Sequence, residues 1–249
     1  GAQVRAVPNE PDGSLPLPAI AAVIRDRTDL HNPFTALICL ENTHNRCGGT
    51  VLTPDYMRRV RRLAQANGLG VHLDGARVFN AAVALGVPPA ALLADVDSVS
   101  MCASKGLAAP IGSILCGSRD FIERARRWRK MVGGGMRQAG AIAAGALYAL
   151  DHMVERLADD HALARTLAEG LAHVPGFAID PARVQTNIVV VDVSPSGRSA
   201  DAVVEALAAR GVLIGAVGPA RVRLVTHYGI EPRDIERALA VTLSVFREL

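Results

Sequence analysis

Long apolar runs are scarce in this sequence: the longest stretch of small and apolar residues, AGAIAAGALYAL at 139–150, falls well short of the roughly 20 residues a helix needs to cross a bilayer. A buried helix accounts for it, and no membrane partner is expected. Four cysteines, Cys39, Cys47, Cys102 and Cys116, form no Cys-x-x-Cys pair, and His44 near Cys47 has no second ligand pair beside it. Neither a metal site nor a disulfide framework is expected, and the thiols read as reduced and structural in a cytoplasmic protein. The opening residues GAQVRAVPNE lack the basic-then-apolar pattern of a signal peptide. Neither sign of charge dominates: 27 basic against 24 acidic residues leave a net +3, too narrow an excess for a nucleic-acid binder. The string RARRWRK, 124–130, offers cations and an indole that could meet phosphates or bases. At helical spacing beside Glu123 it reads better as a solvated or subunit-contacting face. No internal repeat or low-complexity tract is visible.

What remains is a globular composition, half hydrophobic and one-fifth charged, with enough apolar surface for a sizeable core. From 35 to 117 the pattern repeats as apolar strand, polar loop and amphipathic helix, the form of a parallel sheet wrapped by helices. TALICLE (35–41) ends in the polar cluster NTHNRCGG. Thr53, Pro54 and Asp55 punctuate the start of the next helix and Gly68 its end. GVHLD (70–74), a helix from Gly75, VDSVSMC (96–102) and GSILCGS continue the series. Two helical stretches follow at about 137–153 and 155–172. Beyond them the order strand, helix, strand, strand, helix describes a small α+β domain, with the boundary placed between 155 and 156.

Ligands of open parallel sheets sit beyond the carboxyl ends of the strands, and three expected strands end in or just before His44, Asp74 and Lys105. Lys105 lies in MCASKGLAAPIGSILCG (101–117), a stretch otherwise small and apolar. An exposed loop lysine is one reading. A desolvated amine that loses its proton easily and attacks a carbonyl to form a Schiff base is the other. Asp74 suits either a cap for the helix after it or a carboxylate buried beside the ring nitrogen of pyridoxal phosphate (PLP), keeping the ring cationic and electron-accepting. Arg77 reads as a surface helix residue or as a partner of the cofactor's phenolate oxygen. His44 reads as a loop residue with a local hydrogen bond, or as a group that stacks on a ring or acts on a substrate hydroxyl, directly or through water.

ENTHN with GG and VL beyond it, HLDGARVFNA, DSVSMCASKGL, RWRKMVGGGMRQAG and VRLVTH, in that order over nearly the whole chain, resemble the threonine aldolases, PLP-dependent lyases of the β-eliminating lyase group. The resemblance implies an aminotransferase-like (fold type I) α/β domain with a mostly parallel sheet at 1–155 and a small C-terminal α+β domain at 156–249. It implies that Lys105 forms the Schiff base with pyridoxal 5'-phosphate, Asp74 pairs with its ring nitrogen and Arg77 supports the ring. Arg223 of VRLVTH would bind the substrate α-carboxylate, a task suited to a guanidinium. Lys130 and Arg137, flanking the GGG loop, resemble positions near the cofactor phosphate, in a homotetramer with sites shared between subunits. The activity implied is retro-aldol cleavage of threonine or allo-threonine, a small amino-acid substrate, to glycine and acetaldehyde. Another PLP lyase, an aminotransferase, or a noncatalytic remnant of the fold are the competing expectations. Relative to the family this chain is expected to lack an N-terminal portion carrying the phosphate-binding loop and a second, ring-stacking histidine.

Overall fold

The computed structural model describes residues 2–247, which build two sheets, each backed by its own hydrophobic core. A short helix, α1 (Leu17–Val23), precedes β1 (Leu37–Glu41), α2 (Pro54–Ala66) and β2 (Gly70–Asp74). The expected punctuation of α2 is present: the Thr53 hydroxyl accepts from the Tyr56 amide at 3.3 Å, Pro54 opens the first turn and Asp55 stands at its positive end. After α3 (Val78–Leu85) and α4 (Pro89–Leu93) come β3 (Ser98–Cys102) and β4 (Ser113–Gly117). The sheet order is β1-β2-β3-β4, parallel except for β4. The mostly parallel sheet read from the alternating pattern is therefore present. Its register sets Glu41 opposite Asp74 and Asp74 opposite Ser100, so β1 and β2 end level while β3 runs on two residues further, to Cys102.

Helices α5 (Arg119–Met131), α6 (Gly140–His152) and α7 (Leu157–Leu171) lead to β5 (Ile188–Asp192), α8 (Ala200–Ala208), β6 (Gly215–Ala216), β7 (Arg221–Val225) and α9 (Pro232–Arg247). The second sheet is antiparallel, in the order β5-β7-β6. α7 joins the two halves. Its first residue, Leu157, is fully buried with Ala103, Leu107 and Ala146, whereas Ala164, Leu167, Ala168 and Leu171 pack into the core behind the second sheet.

Two sequence readings shift here. α3 begins at Val78, not at Gly75, because Asp74 Oδ1 accepts from the Ala76 amide at 3.0 Å and holds a turn that leaves Arg77 at the helix cap. The expected buried helix at 139–150 is only half covered. Ala146 and Ala149 are buried in α6, while Leu147 and Tyr148 are 61% and 62% exposed.

Candidate active site

The loop after β1 is tied down from both sides. Asn42 donates its amide to Asp74's carbonyl at 2.9 Å and clasps Leu52 with both ends of its side chain. His44 pairs with Thr50 and Gly49 through the main chain, and Gly49 in turn accepts a 2.7 Å bond from Thr186, just ahead of β5. Glu41, the last residue of β1, accepts from the Asn45 amide at 3.0 Å and stands 3.9 Å from His44 Nε2. The imidazole is largely enclosed, and its Nδ1 is buried with no hydrogen-bond partner. An N-terminal turn covers one side of it: a Cβ on Gly13, which has φ +84°, would lie 2.6 Å from His44 Cβ.

Arg223 reaches this loop from the second sheet. Its Nη1 donates to Asn45 Oδ1 at 2.9 Å, across 178 residues of sequence. Arg77, half-buried, lies in the same neighbourhood. Burial, and next the positive charge of Arg223, push its guanidinium below its usual pKa, against the pull of Glu41, Cys102 and Asp74. No side-chain hydrogen bond holds that guanidinium among the described residues. Two cations, Arg77 and Arg223, and two acids, Glu41 and Asp74, thus meet at one edge beside the histidine.

Lys105 and Asp74 depart from the reading of burial. Asp74 is exposed, with one carboxylate oxygen engaged by Ala76. Lys105 is exposed as well. The small residues around it face the other way: the Lys105 carbonyl accepts from Ala108 at 2.9 Å, Ala109 closes onto Ala103 at 3.0 Å, and this tight loop turns Ala103, Gly106, Leu107 and Ala109 into the core against Leu157. The dry composition belongs to the floor of the loop, and the amine stands above it. Among the described residues, nothing hydrogen-bonds or ion-pairs with its Nζ.

His44, Asp74, Arg77 and Arg223 thus come together, and Lys105 shares their strand-end edge. Lys130, on α5, and Arg137, in the loop after it, are exposed and make no hydrogen bond or ion pair with that group. Glu41 and Asn45 were not picked out by the sequence reading. The position of Glu41 at the end of a strand, three residues before a histidine, was the available signal.

The family model for beta-eliminating lyases matches residues 1–194. This chain belongs to that family. It is 45% identical, over 99% of its own length and 70% of the relative's, to the probable low-specificity L-threonine aldolase 2 of Arabidopsis thaliana. Its fold matches that of Leishmania major threonine aldolase, with a TM-score of 0.77 at 20% identity over 95% of this chain and 68% of the other. A PLP-dependent aminotransferase from Streptococcus suis has a TM-score of 0.72 at 18% identity, over 97% of this chain and 63% of that one. The aminotransferase-like fold is therefore shown, and the family is one of PLP-dependent lyases.

The residues present fit the pyridoxal ring and carbonyl of pyridoxal phosphate. The unengaged amine of Lys105, the free oxygen of Asp74, the unpartnered guanidinium of Arg77 and the orphaned Nδ1 of His44 supply a nucleophile, an anion, a cation and an aromatic ring. Those are the four groups that a carbonyl, a pyridinium, a phenolate and a flat ring call for.

Proposed function

We propose that this chain is a PLP-dependent low-specificity L-threonine aldolase, cleaving threonine or allo-threonine between Cα and Cβ to give glycine and acetaldehyde. One observation supports the reading: Arg223 of the second sheet is bonded to Asn45 of the His44 loop, which sets a guanidinium able to bind a carboxylate beside the strand-end group that includes Asp74 and Arg77. Lys105 would hold the cofactor through its amine, with Asp74 toward the ring nitrogen and Arg77 toward the phenolate oxygen. When bound, the cofactor supplies an electron sink for the pair released as the Cα–Cβ bond breaks.

The chain's own residues do the rest. Arg223 binds the α-carboxylate and so orients the substrate. His44, next to Glu41, takes the proton from the β-hydroxyl directly or through one water, whereupon the oxygen's electrons form the carbonyl of acetaldehyde, and a proton returned to Cα completes glycine. Asn45 keeps Arg223 and His44 in one frame. Lys130 and Arg137 serve the cofactor phosphate in a homotetramer whose sites are shared between subunits. The four unpaired thiols suit a cytoplasmic setting, and none of the described helices is long and apolar enough to cross a membrane. The division at 155/156 makes α7 the first helix of the smaller domain.

The test is product analysis with L-threonine. Equal amounts of glycine and acetaldehyde, lost in Lys105→Ala, support the aldolase. Activity that depends on an added keto acid identifies an aminotransferase, and cofactor binding without turnover identifies a noncatalytic fold.

A further inference from the structure

A largely buried polar network joins the chain one residue past Lys105 to the chain three residues past Arg223. Arg156, just ahead of α7, donates through Nη1 to the carbonyl of Gly106 at 3.4 Å, one residue past Lys105. Its other terminal nitrogen donates to Asp160 Oδ1, and its guanidinium lies 5.3 Å from the centre of the Tyr228 ring. Asp160 is 1% exposed, and its second carboxylate oxygen is buried without a partner. The main-chain carbonyl of Asp160 accepts from the Thr226 hydroxyl at 2.6 Å. Thr226 is also paired with Asn187, which donates its side-chain amide to the Thr226 carbonyl at 2.8 Å. Thr226 follows β7, three residues after Arg223.

Asn80 of α3 closes the network. Its amide donates to His161 Nε2 at 3.0 Å and to Asn187 Oδ1 at 3.4 Å. It also sits against Gly106, where a Cβ would come within 3.1 Å of Asn80 Oδ1 and 2.8 Å of Leu157. Each polar group here gives up water, a cost that apolar side chains of the same size would avoid. What such a network provides is direction, because hydrogen bonds fix the distance and angle between the elements they join.

We propose that Arg156, Asn80 and Thr226 are positioning residues that set the Lys105 loop at a fixed distance from the strand bearing Arg223. The inference rests on the functional reading above, in which Lys105 holds the cofactor and Arg223 the substrate carboxylate. Arg156 and Asn80 brace the lysine side, Thr226 the arginine side, and the first turn of α7 is the rod between them.

The experiment strips and reloads the PLP-bound protein. It follows the rate at which Lys105 captures the cofactor, by absorbance and by borohydride trapping with peptide mapping, and measures kcat and KM for threonine. Arg156→Ala slows capture and lowers kcat by about tenfold with KM little changed, the scale expected for a small misplacement of a reacting group. Thr226→Val, equal in shape, leaves capture unchanged and raises KM about fivefold, and Thr226→Ser restores it. In the double variant the effects combine to less than their product, because both sites belong to one network. Wild-type capture in Arg156→Ala, or a wild-type KM in Thr226→Val, overturns the proposal. If Arg156→Ala does not fold, the Thr226 pair decides alone. A Lys105→Ala protein that still traps the cofactor overturns the functional reading instead, and leaves the network without a purpose.

Discussion

The chain contains two lysines, Lys105 and Lys130, and the regions around them are built in opposite ways. Lys105 rides on a loop whose floor is buried and whose carbonyls are engaged by Ala108 and Arg156, just past the end of β3. Lys130 lies on α5, which has no buried residue at all and leaves Trp128 64% exposed. Nearby, a Cβ on Gly135 would come within 2.4 Å of Lys130 Cδ, so the side chain folds back over its own glycine loop. Both amines meet solvent, yet the backbone under only one of them is fixed by the rest of the fold. Exposure alone therefore does not distinguish the two lysines. The rigidity of what carries each of them does.

The largest expected effect comes from removing Lys105. Lys105→Ala abolishes covalent capture of the cofactor and lowers turnover by several orders of magnitude, whereas Lys130→Ala weakens PLP affinity by about tenfold, the worth of one charge-assisted hydrogen bond to phosphate. Equal losses in the two variants, measured by PLP titration and acetaldehyde release, would erase the contrast. Next comes Arg223→Lys. Because a point charge does not reproduce the planar fork of a guanidinium, KM for threonine rises by about tenfold or more while cofactor capture stays intact. A change in capture instead would place Arg223 with the cofactor.

Gly13→Ala sharpens the same contrast from the covered side of His44. A side chain at φ +84°, 2.6 Å from His44 Cβ, costs about 2 kcal/mol or more in strain and overpacking. It also lowers kcat by displacing the imidazole. Alanine at Gly133, where φ is +89° and no neighbour lies within 4 Å, costs about 1–2 kcal/mol by the backbone alone and leaves kcat unchanged. Chemical denaturation with kinetics on both variants checks this.

The smallest effect is in pH. Burial, with help from Arg165, lowers the pKa of His161 to about 4, below its value in the unfolded chain. The unfolded state therefore binds the extra proton first as the pH falls, and stability drops between roughly pH 6.5 and pH 4. From pH 7 to pH 5 the loss is about 2 kcal/mol, and His161→Gln flattens that slope. The carboxyl of Asp160, pushed up by burial against the pull of Arg156, acts in the opposite sense. Folded, it takes its proton at a higher pH than it does unfolded, so its contribution falls as the pH rises above the ordinary carboxylate range. Melting temperatures across this range, in wild type and variant, separate the two.

Much of the fold was legible because the signals were local. β1, β2 and β3 are short apolar runs closed by polar residues, and α2 carries its cap, proline and acid in consecutive positions. α1 escaped notice because it spans only 7 residues and has no side-chain cap. The strand-end placement of His44, Asp74 and Lys105 followed from the parallel pattern, Arg77 from its place just after Asp74, and the family strings added Arg223. Which way Lys105 points was not legible: a run of small residues tells that one side of a loop is packed, not which side. The bond from Arg223 to Asn45 and the path from Gly106 through Arg156 and Asp160 to Thr226 join residues far apart in sequence, and no local pattern encodes them.

The most direct measurement is borohydride reduction of the PLP-loaded protein followed by peptide mapping, which two lysines make unambiguous. The reduced cofactor is expected on the peptide containing Lys105 and not on that containing Lys130. Label on Lys130, or on neither, would contradict that expectation.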